Sequence, residues 1–281
     1  MVFTLIVAGR SGCGKTTFIN AMLGAQTVPV RQIPPAIEAI NLKTTEITSL
    51  QVETDVDGSK ISLNIIDTPG FETNIDNEPS IVAVMDYVER QYDEILAEES
   101  RIKRNPKFQD NRVHALVYFI QPTCQTLREI DIAFIKRLAS RVNVIPVIAK
   151  SDSLTQTELA AFKKQIKMDI STHKLPIFDF PVDVEHDDEY TIKEHAQLRA
   201  AIPFAIICGS QDTGNGSNPR SRKYPWGTAE VDNSSHSEFQ KLKAVLLSSH
   251  LKDLKEFTEV LYLLINRIFF MKSIALNVFR N

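Results

Sequence analysis

Lys15 and Thr16 close a glycine-rich run, Gly9-Arg10-Ser11-Gly12-Cys13-Gly14-Lys15-Thr16, directly behind the apolar segment Val2 to Ala8. This is the pattern G-x-x-x-x-G-K-[ST] in the strand–turn–helix setting that gives it meaning. Glycines let successive backbone N–H groups turn onto phosphate oxygens. A helix carrying Phe18, Ile19, Met22 and Leu23 follows and stops at Gly24; its N-terminus adds partial positive charge. Gly12, Cys13, Gly14, Lys15, Thr16 and Thr17 are therefore the candidate phosphate-binding residues. Lys15 reaches the β- and γ-phosphates, and the Thr16 hydroxyl ligates Mg²⁺.

Two further segments carry matching chemistry. Asp67-Thr68-Pro69-Gly70 follows the apolar run Ile61 to Ile66. Asp67 at a strand end can hold Mg²⁺ through water, and the Gly70 N–H can meet a γ-phosphate. Read alone, the same four residues are an ordinary D-x-P-G turn. Ala149-Lys150-Ser151-Asp152 follows Val142 to Ile148. The Asp152 carboxylate can accept from N1–H and the 2-amino group of guanine. Adenine offers a lone pair at N1 and no 2-amino group, and a buried carboxylate left unpaired is expensive. The Lys150 stem can lie along the base. Read alone, K-x-D is a solvated loop. Three motifs in this order, each at the end of an apolar run, point to a guanine-nucleotide domain that takes GTP or GDP with Mg²⁺.

The elements that must position these residues alternate, strand with helix, which predicts an α/β fold around a mostly parallel sheet. The strands are read as Val2–Ala8, Ile61–Ile66, Val113–Ile120, Val142–Ala149 and Ile202–Ile207. Pro146 and Pro203 lie inside the last two, so those are expected to start late or bulge. Thr45–Glu53 pairs with Ile61–Ile66 through Asp57-Gly58 as an antiparallel edge hairpin. Helices are read at Ser80–Glu98, Leu127–Leu138, Thr157–Ser171, Thr191–Ala201 and His236–Leu251, with one more at the C-terminal end. With its three motifs the chain resembles the P-loop NTPases, which implies a Ras-like three-layer α/β/α sandwich.

Composition narrows the function classes. The 281 residues carry a net charge of −3, with 43% hydrophobic and 24% charged residues, an ordinary globular balance. No basic stripe or aromatic platform favours nucleic acid. Cys13, Cys124 and Cys208 are far apart in the sequence and read as free thiols of a reducing compartment. The apolar stretch Val260 to Met271 is broken by Arg267 and is shorter than the ~18 residues a membrane-spanning helix needs. It reads as a helix packed on the domain, with a membrane-surface or partner-binding helix as the alternative. Five of the seven residues Asp183 to Glu189 are acidic, either a solvated loop or a dock for a basic segment. Residues 211–223 read as a loop.

Beyond these motifs the chain resembles the septins. The match lies in Asp110-Asn111-Arg112-Val113-His114, Tyr118-Phe119-Ile120, Pro122-Thr123 and Leu127-Arg128-Glu129-Ile130-Asp131. It continues in Arg141 to Lys150 and in Arg222-Lys223-Tyr224-Pro225-Trp226-Gly227-Thr228-Ala229-Glu230-Val231. The resemblance implies a septin-type GTP-binding domain over residues 1–260, with a family-specific element at about 211–260 and a divergent apolar helix or tail at 261–281. It implies a cytoplasmic, cytoskeletal protein of the cell cortex or division site. Such a protein hydrolyses GTP slowly and assembles with itself or other septins through its nucleotide pocket. Gly209 and Arg222 are placed against guanine, with Arg222 stacked on the ring. Thr44 is placed at Mg²⁺ and the γ-phosphate, so that Lys15, Thr44 and Gly70 are the catalytic candidates. Trp226, Arg222 and Gln125 are placed at the pocket-facing interface; for Trp226 a core position is the alternative. Gln125, with Cys124, stands where the family has Gly-His, and Glu72-Thr73 where it has Gly-Asp. The family's basic N-terminal segment and first helix find no counterpart ahead of Val2, which leaves membrane contact open. Dimers are then expected in preference to long filaments. A stand-alone GTPase switch that dimerises but does not form filaments is the alternative function.

Overall fold

The computed structural model describes residues 1–24, 47–56, 58–68, 70–71, 77–103, 105–106, 108–123, 125–181, 188–209, 220–225 and 227–263. Thr44, Trp226, Cys124, Asp57, Pro69, Glu72-Thr73, most of the acidic run and the segment beyond 263 lie outside these residues.

Among the described residues six strands form one sheet in the order β2-β3-β1-β4-β5-β6. They are β1 (Val2–Gly9), β2 (Thr48–Val56), β3 (Ser59–Asp67), β4 (Ala115–Ile120), β5 (Asn143–Ile148) and β6 (Phe204–Ala205). β2 is antiparallel to β3, with Thr48 opposite Asp67 and Val56 opposite Ser59. All other pairings are parallel. The edge hairpin and the mostly parallel sheet are as expected.

Side chains alternate across β1. Phe3, Leu5 and Val7 pack with α1 (Lys15–Leu23), α5 (Glu189–Ala201) and α6 (Phe239–Ala244). Ile6 and Ala8 pack on the other face with α2 (Glu78–Glu99), α3 (Glu129–Leu138) and α4 (Gln156–Thr172). Period-two burial on both faces is why these strands read as continuous apolar runs. Because α1 leaves β1 on one face and α2 serves the other, the crevice beyond β1 lies between connections of opposite direction, where α/β sheets bind ligands.

Three expectations need correcting. Pro146 sits inside β5, opposite Tyr118, without delaying the strand. The carbonyls of Val144 and Ile148 accept from Phe178 and Ile206. Pro146 is in phase with them, so its missing N–H falls on the side where, among the described residues, β6 pairs only with Val147 and Ile148. β6 starts after Pro203, as expected, but it ends at Ala205, short of Ile207. The helix read at His236–Leu251 is not continuous: α6 gives way to a π-helical turn at Val245–Ser249, and a new helix, α7, spans 251–263.

α7 wraps the sheet end. Its Leu251 and Leu254 join the α1 face, whereas Tyr262 joins the α2 face. Tyr262 stacks on Tyr92 at 5.7 Å, bonds Glu99 at 2.7 Å and lies under the Arg112 guanidinium. Among the described residues no helix is long and apolar enough to cross a membrane. A separate two-stranded ribbon, β7 (Ser221–Tyr224) and β8 (Gly227–Glu230), stands outside the sheet.

Candidate functional site

The end of the candidate site expected to take phosphate is built almost entirely from backbone. β1 delivers Gly9, whose φ of 142° and contact with Phe119 leave no room for a side chain. Gly12 and Gly14 follow at φ 79° and 92°, the left-handed region where glycine is unstrained. Cys13 is buried, and burial pushes its thiol up; Lys15, Lys150 and Arg10 pull it down. The turn between β3 and α2 then closes on this loop. Ser11 N–H donates to the Phe71 carbonyl at 3.3 Å, and Phe71 N–H to the Gly9 carbonyl at 3.4 Å. A Cβ on Gly70 would lie 2.5 Å from the Ser11 backbone. Only glycine lets this turn approach so closely.

Inside the cradle Lys15 is 8% exposed. Its ammonium donates to the carbonyls of Gly9 and Arg10, each at 3.0 Å. Burial lowers its pKa, and the nearby Asp67 carboxylate opposes that shift. Thr16 Oγ1 donates to Asp67 Oδ2 at 3.1 Å, so the two oxygens assigned to Mg²⁺ are already neighbours. One hydroxyl and one carboxylate suit a hard cation that keeps several waters and takes the rest of its shell from phosphate. Thr17 is half-buried on α1.

The end expected to take the base gathers residues from distant segments. Lys150 leaves β5 with φ 47° and ψ 48°, a left-handed conformation rare for a lysine, and its side chain is exposed. That twist lets Ser151 N–H bond the Ile206 carbonyl at 3.2 Å and turns Asp152 inward, to 3% side-chain exposure. Arg222 Nη1 lies 3.0 and 2.8 Å from the two Asp152 oxygens. The Tyr224 hydroxyl donates to Oδ2 of the same carboxylate. A Cβ on Gly209 would meet the Ser221 carbonyl at 2.9 Å, so Gly209 packs directly under β7. Gly209, Arg222, Lys150 and Asp152 thus come together. Gln125 is exposed on the loop between β4 and α3.

The family model for septins matches residues 1–270. The chain belongs to the septin family. It is 46% identical over 256 residues to septin homolog spn3 of Schizosaccharomyces pombe, covering 90% of this chain and 69% of that protein. It is 47% identical over 271 residues to cell division control protein 11 of Saccharomyces cerevisiae, covering 93% and 65%. The crystal structure of Cdc11 from Saccharomyces cerevisiae aligns with a TM-score of 0.63 at 39% identity, over 93% of this chain and 96% of that one. The septin GTPase domain from Chlamydomonas reinhardtii shares the fold, with a TM-score of 0.69 at 24% identity over 95% and 98%. The chain spans about two thirds of the length of the first two relatives.

Sequence reasoning about this septin missed three site residues. Tyr224 was open to discovery, since it lies two residues from Arg222 on one strand and so on the same face. Gln121 gathers Arg10 and, at 2.8 Å, Arg128 around one amide oxygen beside the phosphate loop. Nothing in the spacing of those residues signals that meeting. Arg220 was also passed over; it ties the ribbon to the Ala21 carbonyl and to Asp232 at 2.7 Å.

Proposed function

We propose that this septin binds GTP and GDP with Mg²⁺, hydrolyses GTP slowly and assembles through its nucleotide face with itself or other septins. The observation that carries the reading is the pair of ends just described. A glycine cradle with Lys15, Thr16 and Asp67 lies at one side, and an inward carboxylate on a K-x-D turn at the other. Gly12 to Thr17 would hold the phosphates by backbone N–H groups and the Lys15 ammonium. Thr16 and Asp67 would hold Mg²⁺, with Thr44 as a third group. Bound Mg²⁺ supplies electrostatic stabilisation of charge at the phosphates. Gly70 would give its N–H to the γ-phosphate, and Asp152 would read guanine with Lys150, Gly209 and Arg222 around the ring.

Slow turnover is supported by Phe71. Ras-like enzymes place a water-orienting glutamine just after this turn; here Phe71 is 2% exposed and packed on Phe134 at 4.6 Å. A hydrocarbon ring held there cannot orient water. Assembly through the pocket face would use Arg222, Trp226 and Gln125, in a domain taken as residues 1–260 with a distinct tail from 261. Such a protein would work at the cell cortex or division site, as the name of the yeast relative suggests for that protein. The test is sedimentation of the purified chain with GDP, GTP or no nucleotide, alongside chromatography of the nucleotide it carries. Guanine-nucleotide-dependent dimers support the reading. Dimers that never grow further, even with another septin added, leave the stand-alone switch, and a nucleotide-saturated monomer refutes assembly through the pocket face.

A further inference from the structure

Asp152 carries two protein donors at the place where a base would meet it. One Arg222 nitrogen bridges both carboxylate oxygens, at 3.0 and 2.8 Å, and so lies across the mouth of the carboxylate. A guanine edge needs that same mouth, one oxygen for N1–H and one for the 2-amino group. The Tyr224 hydroxyl is the second donor, on Oδ2. Burial and the Asp152 carboxylate both raise the Tyr224 pKa, so the phenol keeps its proton and stays a donor at neutral pH.

Both donors belong to one small unit. Arg222 and Tyr224 are alternate residues of β7, and among the described residues β7 pairs only with β8. A two-stranded ribbon is marginal by itself, so its fastenings decide where it sits. They include Arg220 to Asp232 and Ala21, Gly209 beneath Ser221, and the Asp152 carboxylate. The third of these is the group that a guanine would claim.

We propose that Asp152 is a latch shared between the β7–β8 ribbon and the base: guanine displaces Arg222 and Tyr224 from the carboxylate, and base-site occupancy is thereby passed to the ribbon. This rests on the reading of Asp152 as the guanine-binding carboxylate. A base that binds only the unlatched form has its apparent affinity reduced by the unlatched fraction. By linkage, the base loosens the ribbon as much as the ribbon hinders the base. Arg222 freed from Asp152 is then available to stack on the ring. If Tyr224 instead served only to hold Asp152 in place for guanine, losing its hydroxyl would weaken binding. The two roles therefore predict opposite signs.

The experiment uses the full chain, with GDP and inorganic pyrophosphate as probes, in wild type, Tyr224→Phe and Asp152→Asn. The latch predicts that Tyr224→Phe binds GDP about fivefold more tightly, the scale of one hydrogen bond to a charged group partly offset by ribbon rearrangement. Pyrophosphate affinity stays unchanged. The chain's single tryptophan, Trp226, lies in sequence between β7 and β8, so its emission reports on the ribbon even if a variant folds poorly. GDP should change that emission in wild type and pyrophosphate should not. Equal or weaker GDP binding in Tyr224→Phe overturns the latch, as does an equal emission change with pyrophosphate. GDP binding that survives Asp152→Asn unchanged overturns the base-site reading and the latch with it.

Discussion

The two ends of the proposed nucleotide site are built in different ways. The phosphate end is a short stretch of chain, Gly9 to Thr16, clasped by the turn from Asp67 to Phe71 through backbone hydrogen bonds. Its key constraints are glycines with positive φ or no space for a Cβ. The base end joins Asp152, Gly209 and the ribbon residues Arg222 and Tyr224, 70 residues of chain separating Asp152 from Arg222. Its hydrogen bonds are side-chain contacts to one carboxylate. A backbone cradle is fixed once the loop folds, whereas a side-chain cluster depends on how separate elements dock. The phosphate end should therefore respond to steric changes in all ligands alike, and the base end to changes in one group and only for ligands that carry a base.

The largest effect is expected from Gly70→Ala. A Cβ there would lie 2.5 Å from Ser11 backbone, and neither partner is a flexible side chain. Isothermal titration should show binding of GTP and pyrophosphate falling together, below detection for both. Retained binding would mean that the turn is not held against the cradle. Asp152→Asn is the counterpart at the other end. Removing a carboxylate that accepts two hydrogen bonds should weaken GTP by roughly 100-fold or more. Pyrophosphate should be untouched, and xanthosine triphosphate should partly rescue, because the amide can pair with its 2-oxo group. Equal losses for GTP and pyrophosphate would erase the distinction between the ends.

A third test moves neither end. His114 sits before β4, 2% exposed; its Nδ1 accepts from Thr4 N–H at 2.9 Å. Burial, helped by Lys255 and Arg112 and opposed by Asp110, lowers its pKa from 6.5 to about 4. Between those values the unfolded chain binds the proton and the folded one does not. Stability should thus be full above pH 6.5 and fall as the pH drops towards 4, by up to about 3 kcal/mol from this group. His114→Gln should flatten that part of the urea-midpoint profile while leaving the GTP-to-pyrophosphate affinity ratio unchanged at pH 7. The smallest effect is expected at Thr155, which caps α4 three residues after Asp152 and bonds Glu158 N–H at 3.3 Å. Thr155→Ala should cost about 1 kcal/mol of stability, with a slight loss of GDP affinity and none for pyrophosphate.

The contrast also explains what could be read in advance. The cradle was legible because its chemistry is local: glycine spacing, one lysine and one hydroxyl specify the loop wherever a strand and a helix flank it. The hairpin of β2 and β3 and the buried parallel strands were legible for the same reason, through period and turn residues. Pro146 in β5 was misjudged because sequence cannot say which side of a strand lacks a neighbour. The break after α6 was missed because Val245, Leu246 and Leu247 are all buried, and a run apolar on every side carries no helical phase.

By itself, then, the sequence determined the order of the elements, the phosphate cradle and the carboxylate on its K-x-D turn. Each is encoded within a few neighbouring residues, where steric and hydrogen-bonding rules act without reference to the rest of the chain. Tertiary structure alone decided that Arg222 and Tyr224 meet on Asp152, that Gln121 gathers two arginines beside the cradle, and that α7 crosses from one face of the sheet to the other. Those contacts join residues far apart in the chain, and only the docking of separately formed elements brings them within hydrogen-bonding distance.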